Sequence, residues 1–310
     1  MIIKPPKISV RDTREPPYLP PVTRAYIDLM RPFSLIGSFL AGFFLVLLYS
    51  SYHGQTFTPL LGTTVGIILS LLHAGSQIIN QSSREEIEID KATGKTYRPM
   101  VREILHPMDG FYLAILLFTI GNLAALYINP TFAVFTLLIT FFGISYTTGL
   151  RTKKIFFINN MHQGVARGAL PILAVWSISG NPFDIFPLSL ALIGATWTTS
   201  FQSTKDFNDE EIAGDRKFSV MTLPVVLGKN MTLVIMSLIG TLSFIFMGIF
   251  IISGIFPGSF IWLFTLVIPS VLILYCLKKE YRLPHLENNA AWGFFYLGLS
   301  MFYIMPAILI

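Results

Sequence analysis

Charge is scarce in this sequence. Of its 310 residues only 13% are Asp, Glu, Lys or Arg and 53% are hydrophobic, where a soluble domain carries about 25% charged residues. That balance excludes an ordinary soluble globular protein and leaves an integral membrane protein. Cysteine is almost absent: Cys276 is the single one and sits inside an apolar run, which excludes a disulfide framework and a thiolate metal site. No cleavable signal peptide is expected, since the first 23 residues have no apolar core. The net charge of +5 does not point to nucleic acid, because the basic residues lie between hydrophobic runs, where they set orientation.

What the sequence has in quantity is apolar length. Nine runs, at 25–50, 57–81, 107–128, 130–148, 157–180, 183–205, 230–254, 257–278 and 289–310, could each cross a hydrocarbon layer, which takes about 20 helical residues. Breaker pairs separate them at His53-Gly54, Asn129-Pro130, Asn181-Pro182 and Pro257-Gly258. None of these short connections contains Lys or Arg. The positive-inside rule then puts the N-terminus, the longer loops and the loops near 151–156 and 278–288 in the cytoplasm, with the C-terminus outside. The expected fold is an all-α integral membrane bundle of nine transmembrane helices. Residues 1–23, with six prolines, are expected as a flexible cytoplasmic tail, and 24–310 as one transmembrane domain.

The two longest cytoplasmic loops each carry an acidic cluster. Asp206 and Asp209 are three apart and share a helical face, and Asp215 follows Gly214. In the first loop Glu86 and Asp90 are four apart, with Asn80 one or two turns earlier. Carboxylates crowded at a membrane surface repel one another unless a cation neutralises them. Oxygen ligands without nearby His or Cys favour Mg2+, which substrate phosphate oxygens would complete. A diphosphate on a greasy substrate fits that site. Basic residues follow both clusters, and Arg98, in Tyr97-Arg98-Pro99, is the one singled out as a phosphate ligand. Arg167 lies well inside the fifth run and should face an interior cavity, because a central arginine is costly in lipid. Asn159, Asn160, His162, Gln163, Gln202 and Lys205 approach the same end, and His73, Gln77 and Asn80 share one face of the second run.

In this order and spacing the chain resembles the UbiA superfamily of intramembrane prenyltransferases. The resemblance runs through Arg31-Pro32, Asn80-Gln81 with Glu86 and Asp90, Tyr97-Arg98-Pro99, Tyr146 with Arg151 and Lys153, Asn160, Arg167-Gly168, Lys205-Asp206-x-x-Asp209, Gly214-Asp215 and Thr222-Leu223-Pro224. It implies nine helices with two acidic motifs on cytoplasmic helical loops, and Mg2+-dependent transfer of a polyprenyl group from its diphosphate, through an allylic carbocation, to a lipophilic acceptor. It implies Glu86, Asp90, Asp206, Asp209 and Asp215 as metal ligands. Asn80, Arg98, Arg151, Lys153, Arg167 and Lys205 would hold the diphosphate, and Tyr146, Lys153 and Asp209 would serve the reaction. No nucleic acid and no obligatory protein partner are implied.

The chain departs from the family pattern in both motifs. Gln81 stands where the first Asp is expected, Glu86 replaces the middle one, and each motif is about two residues longer. Glu85, Glu86 and Glu88 stay open as the middle ligand, and Glu210 and Glu211 fall within the second interval. A membrane terpene cyclase is the alternative within the family. An ion-coupled transporter is the alternative of another class, although transporter ion sites lie near the midplane on broken helices and no acid interrupts the centre of a run here.

Overall fold

The computed structural model of the chain describes residues 20–95, 97–280 and 290–310. Most of the expected tail and most of the loop before the last run lie outside them. The described residues are predominantly helical, with no strand among them.

Proline sets many of the helix starts, because its missing N–H is not needed in a first turn. It opens α1 (Pro21–Met30), α2 (Pro32–Tyr52), α3 (Pro59–Ser82), α5 (Pro107–Ile128) and α6 (Pro130–Thr147). Between α3 and α5 lies the short α4 (Arg84–Ala92), capped by Ser83, whose hydroxyl accepts from the Glu86 N–H at 3.2 Å. Asn129 alone joins α5 to α6; its Oδ1 accepts from the N–H of Thr131 at 2.7 Å, so the reversal needs no further residue.

The expected run 25–50 is two helices, because Arg31 adopts the left-handed conformation (φ 53°) and turns α1 away from α2. The run 157–180 is also interrupted. It forms α7 (Ile158–Gln163), a π-turn (Gly164–Ala169) and α8 (Leu170–Trp176). After α9 (Ile185–Phe201) a 3-10 turn (Gln202–Asp206) leads to α10 (Asp209–Lys217). The chain closes with α11 (Leu223–Ile252), a 3-10 segment (Gly258–Leu266) running into α12 (Val267–Lys278), and α13 (Ala290–Leu309).

Among the described residues seven helices are long and apolar enough to cross a membrane. The expected runs at 157–180 and 183–205 are not among them: the first is broken by the π-turn and α9 has 17 residues. Outward faces carry large apolar side chains such as Leu60, Tyr112, Leu123 and Ile252. This is an integral, multi-pass membrane protein.

Glycine lets the helices approach closely, the usual packing device where lipid is as apolar as the interior. A Cβ on Gly42 would lie 2.5 Å from the Gly66 nitrogen, and one on Gly168 would lie 2.2 Å from the Gly194 oxygen. The first contact fixes α2 on α3, and the second fixes the π-turn on α9. The interior is filled by fully buried Trp176, Trp197, Phe186, Phe260, Phe295 and Phe302.

Candidate active site

One cavity of about 1450 Å3, including its open mouth, runs between α2, α3, α6, α7–α8 and α13, and α4 and α10 stand over its entrance. Four carboxylates line it: Glu86, Asp206, Glu211 and Asp215. Six cations line it as well, namely Arg31, Lys95, Arg98, Lys153, Arg167 and Lys205. Further in the walls turn apolar, with Ala41, Leu69, Ile139, Phe142 and Leu299.

The two acidic loops are tied together by bases. Lys153 donates to Glu86 Oε2 at 2.5 Å, and Asn80 Nδ2 reaches Glu86 Oε1 at 3.4 Å while its own Oδ1 accepts from Thr147 at 2.8 Å. Arg98 bonds the buried Asp90, and Lys95 lies 3.7 Å from the other Asp90 oxygen while binding Glu211 at 2.7 Å. Lys95 therefore bridges the first acidic loop to the second. Burial raises the Glu86 carboxyl, but the charge and hydrogen bond of Lys153, with Arg98 and Lys95 behind, outweigh it and bring it to about 2. Asp206 and Asp215 go the other way. Burial first and then the repulsion of Glu211 and Glu86 lift Asp206 to about 6 against Lys205, and burial with Asp206 and Glu211 beside it lifts Asp215 to about 8.

The alternatives in the first loop separate by direction. Glu86 faces the cavity, Glu85 pairs outside it with Lys154, and Glu88 meets Lys91 on the exposed side at 3.0 Å. Gln81 does not line the cavity; its amide donates to the Leu29 carbonyl at 2.8 Å and secures the end of α1.

The other expected residues divide into those the cavity gathers and those it does not. Asn80, Arg98, Tyr146, Lys153, Arg167 and Lys205 line it with Glu86, Asp206 and Asp215. Asp90 lies behind, held by Arg98. Arg151 does not line it; its side chain is 57% exposed and 3.9 Å from Glu85. Asp209 points outward with a 79% exposed side chain and pairs with Lys229 at 2.8 Å. Glu211 occupies the place expected for Asp209, because a four-residue step back from Asp215 keeps one face of α10. Counting back from Gly214-Asp215 would have found it.

Tyr146 connects the loops to the interior. Its hydroxyl accepts from Lys205 Nζ at 2.5 Å and donates to Asn159 Oδ1 at 2.8 Å, which fixes the ring at the cavity wall. Asn160 is turned away, donating to Ser203 Oγ at 2.9 Å and the Thr199 carbonyl at 3.0 Å, and joins α7 to α9.

Among the described residues no three His, Cys, Asp or Glu side chains converge closely enough to hold a metal by themselves. The donor set still suits a hard divalent cation, which is commonly held by one or two carboxylates with water and phosphate oxygens completing the shell. Among the described residues two buried acceptors near the mouth, Asp90 Oδ1 behind it and Gln202 Oε1 on its lining, have no hydrogen-bond donor.

A family model, the UbiA prenyltransferase family, matches residues 36–304. The chain belongs to that family and is an enzyme, a prenyltransferase. It is 25% identical over 222 residues to a digeranylgeranylglyceryl phosphate synthase of Pyrococcus abyssi, covering 72% of this chain and 76% of that one. It is 27% identical over 176 residues to a protoheme IX farnesyltransferase of Nitrobacter hamburgensis, 56% of this chain and 54% of that one. Its fold matches a UbiA homologue from Archaeoglobus fulgidus bound to GPP and Mg2+ with a TM-score of 0.66, at 14% identity, over 92% of this chain and 99% of that one.

Proposed function

We propose that this enzyme moves a polyprenyl group from its diphosphate to a lipophilic acceptor, with Mg2+ held between the acidic loops. The observation that carries the reading is the cavity itself, whose mouth joins carboxylates to cations and whose depth is apolar. The names of the relatives, both prenyl-transferring, and the GPP and Mg2+ of the structural neighbour support it. Residues 24–310 would form one domain of nine spans, with α7–α8 and α9 as the two shorter crossings and the acidic loops on the cytoplasmic side.

Glu86, Asp206, Glu211 and Asp215 would hold the metal, with Asp90 keeping Arg98 in place. When bound, Mg2+ neutralises charge that builds on the departing diphosphate oxygens. Lys95, Arg98, Lys153 and Lys205 stand round the same mouth and donate to those oxygens, a role worth most where water is excluded. As the allylic C–O bond breaks, pyrophosphate leaves with the electron pair and the prenyl carbon becomes cationic. The Tyr146 ring, fixed by Asn159 and Lys205, presents a π face to that carbon, a contact worth about 0.5–2 kcal/mol. Leu69, Ile139, Phe142 and Leu299 keep water from the cation until the acceptor bonds to it and gives up a proton.

The test is product identity. Purified protein with geranylgeranyl diphosphate, Mg2+ and a pool of lipid and aromatic acceptors should yield a prenylated acceptor by mass spectrometry. A cyclic hydrocarbon formed without any acceptor would instead make the enzyme a cyclase.

A further inference from the structure

The cavity carries a cation that the diphosphate mouth does not account for. Arg167 sits in the π-turn between α7 and α8, deeper than Asn159 from the acid-bearing end. The turn's widened backbone is held in place by Gly164 and Gly168, where a Cβ would lie 2.0 Å from Thr199 Oγ1 and 2.2 Å from the Gly194 oxygen. Tyr303 donates to the Arg167 carbonyl, a second restraint on the same residue. π-turns inside helices concentrate at functional sites.

The Arg167 guanidinium donates to the Tyr296 hydroxyl at 3.3 Å, and among the described residues no carboxylate forms an ion pair with it. The acids near the mouth pair with other bases or with none, and not with Arg167: Glu86 with Lys153, Asp90 with Arg98, Glu211 with Lys95 and Asp206 with Lys205 at 3.9 Å, while Asp215 accepts from the Thr222 hydroxyl at 3.4 Å. Around Arg167 the polar groups are neutral or cationic. Arg31 donates to Gln77 Oε1 at 3.0 Å, His73 Nε2 lies 3.0 Å from Gln77 Nε2, and Ser38 Oγ lies 2.8 Å from His73 Nδ1. A guanidinium fork that lines the cavity and that, among the described residues, pairs with no carboxylate is complementary to an oxyanion, which it binds bidentately.

We infer that Arg167 recognises the prenyl acceptor by a carboxylate or phosphate on that acceptor, with Tyr296 and the Arg31–Gln77–His73 chain beside it. This rests on the transferase reading above and adds the acceptor's chemical class: an anionic head on a molecule that enters the cavity with the prenyl chain. A glycerol-ether lipid phosphate and an aromatic carboxylic acid share that chemistry.

The experiment is equilibrium binding to detergent-purified wild type, R167Q and R167K with Mg2+ present. The probes are 4-hydroxybenzoate against 4-hydroxybenzamide, a prenyl glycerol-ether phosphate against its dephosphorylated alcohol, and Mg-pyrophosphate for the donor site. One anionic probe should bind wild type at least about 10-fold tighter than its neutral twin, and which one does identifies the source of the anion. R167Q should erase that preference, R167K should retain part of it, and Mg-pyrophosphate affinity should stay within about twofold in both. R167K keeps the charge, so it carries the test if R167Q does not fold. Equal binding or no binding by both pairs in wild type overturns the inference. So does an equal loss of Mg-pyrophosphate affinity in the variants, which would return Arg167 to the donor. Absence of Mg-pyrophosphate binding in wild type would count against the transferase reading as well.

Discussion

Glu211 and Asp215 lie four residues apart on α10, so both carboxylates reach the cavity, while Asp209, two residues before Glu211, is carried to the outer face. Glu211→Gln and Asp215→Asn should therefore each weaken the apparent Mg2+ affinity by about 10–100-fold. Asp209→Asn should cost only a surface ion pair of about 0.2–1 kcal/mol and leave turnover within a few-fold. Mg2+ titrations of pyrophosphate release check both. The pH dependence follows from Asp215, which has an ordinary value of 3.8 and is raised to about 8 in the fold. The folded chain binds the extra proton, so metal-free stability falls as pH rises from about 4 to about 8 and levels beyond. Mg2+ displaces that proton, so the rise in melting temperature on adding Mg2+ should grow from pH 6 to pH 8 and then flatten. A stabilisation equal at both pH values would contradict the assignment. At this scale the residue types were legible in the sequence and their directions were not. Spacing alone made Asp206 and Asp209 neighbours, but the 3-10 turn ending at Asp206 breaks the helical register between them.

The decisive element is the interrupted run α7, π-turn, α8. Its apolar run was plain in the sequence, and so was the argument that Arg167 must face inward. The π-turn was not, because hydrophobic periodicity does not distinguish a widened turn from a regular one over six residues. The packing of Gly168 against Gly194 shows what holds it. Gly168→Ala places a methyl where backbone already lies, an overpacking that costs about 1–3 kcal/mol. Thermal unfolding in detergent should show a clear drop in melting temperature, whereas Gly258→Ala, whose Cβ meets nothing within 4 Å among the described residues, should change it little. The same limit of pattern reading explains Arg31. The run 25–50 looked continuous in composition, and only the left-handed residue before Pro32 divides it and brings Arg31 to the cavity.

At the scale of the whole molecule, the proposed orientation puts the acid-bearing end on the cytoplasmic side, as the distribution of Lys and Arg implies. With Cys276 replaced by Ser, Glu88→Cys should react with a membrane-impermeant maleimide only from the cytoplasmic side, and Gln55→Cys, in the loop between α2 and α3, only from the other. The inverse pattern would overturn the orientation.

If one cavity binds a prenyl diphosphate through metal and cleaves it, pyrophosphate release must depend on both the metal and the carboxylates. The direct measurement is pyrophosphate release by the purified protein given geranylgeranyl diphosphate and acceptors, with Mg2+ or with EDTA, beside Glu86→Gln and Asp215→Asn. Release should require Mg2+ and fall by about 100-fold or more in each variant. Release that persists in EDTA, or that both variants retain at the wild-type rate, would contradict the proposed cleavage.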